Sequence, residues 1–153
     1  METAIFYHSY HHGCTKQLLD AIRVRYPVQL YNIEGKETMD LSRFGRIGFA
    51  SGIYYGQMSK DLLKFRENNL PEGKDVFLIV TGGNPRDTNL NTMRKIIGDK
   101  HGRLIGHYMC KGYDTFGPFR LMGGINKGHP DAEETEAAVK FYSGLIGHDP
   151  ALR

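Results

Sequence analysis

Seven residues near the N-terminus, SYHHGCT from Ser9 to Thr15, concentrate side chains that do chemistry. They follow the apolar run TAIFYH and precede a helical pattern, so they occupy a strand-to-helix junction. Three chemistries compete for such a stretch. The first is an anion grip. Gly13 permits a tight turn, and a helix starting near Cys14 and Thr15 offers free N–H groups and the positive end of its dipole. The hydroxyls of Ser9 and Thr15 can donate to phosphate oxygens, and His11 or His12 can add a donor or partial positive charge. No acidic residue lies between Ala4 and Gln17, as an anion site requires. A metal site is the second. His8, His11 and His12 straddle the junction rather than share one helix face, and no cysteine or carboxylate stands at a zinc spacing. The third is an ordinary turn with surface histidines. Cys14 beside those histidines also raises the question of a nucleophilic thiol, although a helix start needs donors whatever its side chains are. Phosphate fits these residue types best. The stretch is neither a Walker A loop nor G-x-G-x-x-G, which argues against a dinucleotide pyrophosphate.

Three further stretches carry glycine at what read as strand ends. ASGIYYGQM (50–58) contains Ser51, Gly52, Ile53, Tyr54, Tyr55 and Gly56. A Ser-Gly turn, two tyrosines and a second glycine suit a loop that lays an aromatic face on a flat ring; a tyrosine pair packed on the protein's own surface is the alternative. In TGGNPRD (81–87), Thr81, Gly82, Gly83 and Asn84 can bring backbone N–H groups close to a ligand, or simply turn the chain from strand to helix. CKGYDTFGPF (110–119) is the fourth stretch.

The elements that must position these stretches alternate along the chain. Strands are expected at 4–8, 28–33, 46–51, 75–81 and 103–110. Helices are expected at 14–26, from a Ser59 cap onward, from about Asn89 to Asp99, and from Pro130–Asp131, where Asp131 and Glu134 form a capping-box pattern. VFLIV (76–80) is apolar without interruption, which implies cover on both faces of its strand, as in a parallel sheet. The reading is one α/β domain over 1–153, a doubly wound layer structure around a mostly parallel five-stranded sheet. Ligands of such sheets bind outside the C-terminal strand ends, which is where all four glycine-bearing stretches fall.

Composition narrows the function. The 153 residues carry a net charge of +3, with Lys and Arg scattered rather than clustered, which fits a solvated surface and not a nucleic-acid footprint. No apolar run approaches the roughly 20 residues of a membrane helix. The N-terminus does not read as a signal peptide, and a soluble cytoplasmic protein is expected. The two cysteines, Cys14 and Cys110, are too few for a disulfide scaffold. Placed at their strand ends they would stand three strand spacings apart, roughly 14 Å, beyond the limit of about 7 Å for a bridge. A phosphoacceptor receiver is excluded because no acid follows the first strand.

Taken together, FYHSYHHGCT, IGFASGIYYGQMSKDLLKF and CKGYDTFGPFRLMGGINKGHPDAEETEAAVKFY resemble the flavodoxin family almost end to end. The resemblance implies a flavodoxin-like three-layer sandwich with strand order 2-1-3-4-5 and one noncovalent flavin mononucleotide (FMN). It maps the phosphate loop onto Ser9–Thr15, the first flavin loop onto Ser51–Gly56 and the second onto Thr81–Asn84. It implies a ring stacked on Tyr54 or Tyr55, since the chain has no Trp, N–H contacts from Gly82–Asn84, and a Gly56 that answers protonation of flavin N5. Cys14 stands where the family usually has Asn. On the ligand edge, Lys16, Lys60, Arg86, Lys111, Arg120 and Lys127 outnumber Asp61, Asp87 and Asp114. That balance leads us to expect a less negative reduction potential and a protein redox partner with an acidic docking patch. The expected function is FMN-based electron transfer. The alternatives are an FMN-dependent NAD(P)H:acceptor reductase of the quinone type and a flavin-free binding module.

Overall fold

The computed structural model describes residues 2–8, 13–112 and 128–147. Its strands are β1 (Thr3–His8), β2 (Val28–Asn32), β3 (Arg46–Tyr54), β4 (Gln57–Met58), β5 (Asp75–Gly82) and β6 (Arg103–Lys111). Its helices are α1 (Cys14–Arg25), α2 (Lys60–Asn69), α3 (Asn91–Asp99) and α4 (Ala132–Ile146), with a 3-10 turn over Asp87–Leu90 before α3. The sheet runs β2-β1-β3-β5-β6, with every pair along that path parallel. Numbered without β4, this is the expected 2-1-3-4-5 order. The unexpected element is β4, two residues that pair antiparallel with the end of β3.

The central strands are buried on both faces, and successive side chains go to opposite layers. Ala4, Phe6, Phe49, Leu78 and Val80 pack with Leu62, Phe65, Met93 and Ile97 of α2 and α3. Ile5, Tyr7, Phe77 and Ile79 pack with Leu18, Leu19 and Ile22 of α1 and Ala138, Val139 and Tyr142 of α4. Each large apolar side chain so enclosed contributes about 1.5–3 kcal/mol relative to exposure. In α3 and α4, Ile96, Phe141 and Leu145 are only partly covered.

One departure from the sequence reading, and one connection that it left without a helix, bear on the site. The third strand does not stop at Ser51. It continues to Tyr54 because Gly52 still pairs with Thr81 of β5 and because Ile53 and Tyr54 pair with β4. The connection from β2 to β3 holds no helix, whereas a parallel crossover usually does. Leu41 and Phe44 take the helix's place in the core, and a cleft of about 710 Å³ lies between residues 33–38 and α2.

Candidate functional site

The start of α1 stands at the C-terminal end of the sheet, and it differs from the starts of α2 and α4; α3, which also lacks a side-chain cap, runs on from the 3-10 turn. The N-cap of α1 is Gly13, at φ +62°, which supplies no capping side chain, and its first turn contains no acid. In α2, by contrast, Ser59 Oγ accepts the Leu62 N–H at 3.3 Å and Asp61 follows. In α4, Asp131 accepts the Glu134 N–H at 2.8 Å and Glu133 and Glu134 sit in the first turn. The positive end of α1 is thus left without an internal anion. Ser9, His11 and His12 of the expected phosphate loop lie outside the described residues, as do Tyr10, Asp114, Arg120 and Lys127.

Thr15 and Thr81, assigned to different loops, meet. Their hydroxyls are 3.0 Å apart and buried, which joins the start of α1 to the end of β5. This corrects the distance argument for the cysteines. Cys14 is not above β1, three strands from β6, but over the ends of β5 and β6: its Cβ lies 3.3 Å from where a Cβ on Gly112 would stand. Cys14 Sγ donates to the carbonyl O of His129 at 3.6 Å, so its side chain is turned into this corner. Both cysteines are buried free thiols. Burial, and behind it the neighbouring Glu134 carboxylate, pushes the Cys110 thiol up to about 12, so it stays protonated at neutral pH. His8 is likewise structural here: buried, with Nδ1 2.7 Å from Ser59 Oγ and 3.8 Å from Asp61.

The stretch expected to be the first flavin loop is a β-hairpin and not a Ser-Gly turn. Ser51 is buried, its hydroxyl donating to Gly52 O at 2.7 Å and accepting the Ser59 N–H at 3.1 Å. Tyr54 folds back over Gly52, where a Cβ would come within 2.8 Å of its hydroxyl. The turn itself is Tyr55–Gly56, at φ +52° and +80°. Tyr55 projects outward with 83% of its surface exposed. In the second loop, Ile53 leans over Gly82, whose missing Cβ would meet its Cδ1 at 3.0 Å. Gly83 is half-buried and Asn84 exposed. A residue that the sequence reading took only as a helix start, Asn89, bridges the two loops: it reaches Gly56 O and the Arg86 N–H. Its one sequence signal is the general preference of asparagine for helix starts.

The charge balance of the edge also changes. Asp87 is held well below the usual carboxylate range by its hydrogen bonds to Arg94, the shorter at 2.7 Å. Glu134 accepts the Lys111 N–H at 3.2 Å, which brings α4's acids to an edge counted as basic. Among the described residues, His129, Asp131 and Glu134 could also hold a metal, their ligand atoms lying within 4.8 Å of one another. Those atoms already serve the α4 cap. Glu134 Oε1 accepts the Asp131 N–H at 3.0 Å and contacts His129 Nδ1 closely, beside a helix end that repels cations.

A family model described as Flavodoxin domain matches residues 4–113. The chain belongs to the flavodoxin family. An uncharacterized protein of Methanocaldococcus jannaschii is 31% identical to it over 148 residues, 95% of this chain and 99% of the relative. Oxidised Flavodoxin 2 from Bacillus cereus superposes with a TM-score of 0.70 at 16% identity, over 96% of this chain and 99% of that one. An NADPH-quinone reductase from P. pentosaceus superposes with a TM-score of 0.59 at 13% identity, over 92% and 97% of the two chains. At such identities these two structures speak for the fold. Among the described residues, no helix of this flavodoxin-family chain is long and apolar enough to cross a membrane.

Proposed function

We propose that the chain binds one FMN noncovalently at the C-terminal ends of its parallel strands and carries electrons with it. The start of α1 carries this reading: a glycine-capped, acid-free helix end, placed by Thr15–Thr81 beside the loops after β3 and β5. Such an end suits a phosphate, because its N–H groups donate and its dipole favours negative charge. The family's usual Asn is replaced by Cys14, whose side chain points into the His129 corner. What Cys14 offers the phosphate is its backbone N–H, and that survives the replacement. Gly13 to Thr15, with Ser9, His11 and His12, would hold the phosphate.

Tyr55 would stack on the ring, because Tyr54 is folded over Gly52 while Tyr55 is presented outward. Backbone N–H groups of Gly82 to Asn84 would meet the ring's polar edge. Bound flavin supplies the electron chemistry, and the protein supplies binding, stacking and electrostatics. The redox partner is a protein, and its docking patch is acidic if Lys16, Lys60 and Lys111 dominate the contact.

The test is an absorbance spectrum of the purified protein, repeated after FMN is added and the sample dialysed. Flavin bands that stay with the protein are expected. A protein that remains colourless sinks the reading and favours a flavin-free binding module. Steady-state oxidation of NADH or NADPH by the loaded protein would move it from carrier to reductase.

A further inference from the structure

We propose that Asn89 is a positioning residue that clamps the two ring-facing loops to each other and so governs how firmly the flavin is held. The inference rests on the flavin reading above. The side chain is divided between the loops. Nδ2 donates to the carbonyl O of Gly56 at 2.8 Å, at the tip of the β3–β4 hairpin. Oδ1 accepts the N–H of Arg86 at 2.7 Å, on the segment that leaves β5. One partner is an acceptor and the other a donor, which fixes the orientation of the amide. The residue is anchored before it reaches across, since its own N–H donates to Arg86 O at 2.9 Å.

The hairpin needs such a clamp. It has only two rungs, Ile53 with Met58 and Tyr54 with Gln57. Its turn puts Tyr55 and Gly56 both at positive φ, and tyrosine in the left-handed region is strained where glycine or asparagine would not be. A strained conformation persists only when its surroundings enforce it. Thr92 Oγ1, donating to Gln57 Oε1 at 3.3 Å, gives a second and longer tie to the same α3 end. Asn89 thus holds the exposed Tyr55 at a set position relative to Gly82–Asn84. The two sides of the ring site do not move independently.

Two substitutions separate the clamp from the local turn. Asn89→Asp keeps an acceptor for the Arg86 N–H but has no donor for Gly56 O, and sets a carboxylate against that carbonyl. Asn89→Ala loses both contacts. We expect Asn89→Asp to weaken FMN binding about three- to tenfold in a fluorescence-quenching titration, the loss of one hydrogen bond, with the melting temperature of the flavin-free protein little changed. Amide exchange over residues 54–58 should quicken in both flavin-free variants. Variants that bind FMN as tightly as the parent overturn the proposal, as does unaltered exchange in the hairpin. A parent protein that retains no FMN sinks the flavin reading instead, and the exchange comparison then decides the clamp by itself.

Discussion

A guanidinium lies wholly inside the hydrophobic layer between the sheet and the α2–α3 pair. Arg66 has no exposed surface, and among the described residues no carboxylate pairs with it. Nη1 donates to Met93 O at 3.0 Å and meets Met93 Sδ at 2.8 Å, and Nη2 reaches Leu63 O at 3.3 Å. Nε has no partner. Burial accordingly pulls its pKa down to about 10, against the attraction of Glu67 and Asp99. A buried charge without a counter-ion costs stability that a well-packed apolar side chain of similar length would not. We expect Arg66→Met to raise stability by about 1–3 kcal/mol in urea unfolding, and Arg66→Ala to lower it because a cavity replaces the stem. A less stable Arg66→Met protein would show that the three hydrogen bonds outweigh the buried charge. Helical spacing from the Ser59 cap points either Phe65 or the Arg66 stem inward, and the structure buries both, but spacing does not say whether a charged head escapes to water.

At the scale of elements, Ser59 is where three of them are tied. Its Oγ caps α2 through the Leu62 N–H and bonds His8 at the end of β1, while its N–H donates to Ser51 in β3. The cap was legible in the sequence, because a serine before an amphipathic run is a local signal. The two ties to the sheet were not, since they join residues 51 and 8 positions apart. Ser59→Ala removes the cap and the 2.7 Å contact with His8 together. An ordinary cap is worth about 1 kcal/mol, and the added buried bond should bring the loss to roughly 2 kcal/mol. Thermal unfolding of Ser59→Ala and Ser59→Thr checks this, with Thr expected to recover most of the loss. A loss no larger in Ser59→Ala than in Ser59→Thr would mean that the hydroxyl does not join these elements.

For the molecule as a whole, the alkaline side of its stability curve should carry the mark of the α1–β6–α4 corner. Cys110 is raised from 9.0 to about 12 in the folded state. Above about pH 9 the unfolded thiol ionises and the folded one does not, so the unfolded state binds fewer protons and stability falls as pH rises, until about pH 12. Tyr108, also raised by burial, acts in the same direction. The Cys110 share of the slope is at most about 1.4 kcal/mol per pH unit. Urea midpoints measured at pH 8 and pH 10.5 should therefore diverge less in Cys110→Ala than in the parent. Equal divergence would mean that the thiol ionises in place.

Much of this was in the sequence because it depends on neighbours within a turn or two. The uninterrupted apolar run at 76–80 dictates a doubly covered strand, and the helical stripes dictate which faces meet it. The Asp131–Glu134 capping box is likewise local. These periodicities determined the class of fold, and the glycine-bearing strand ends marked where a ligand is expected. Tertiary structure decided how the strand ends are linked across the sheet. It carried β3 on to Tyr54, because backbone groups there found partners in β4 and β5. It set Cys14 over the ends of β5 and β6 rather than β1, where the neighbouring Thr15 meets Thr81. It also joined Asn89 to Gly56 across 33 residues. Hydrogen-bond donors such as that amide are equally content in water, so nothing local in the chain indicates which distant carbonyl they will meet once the sheet has formed.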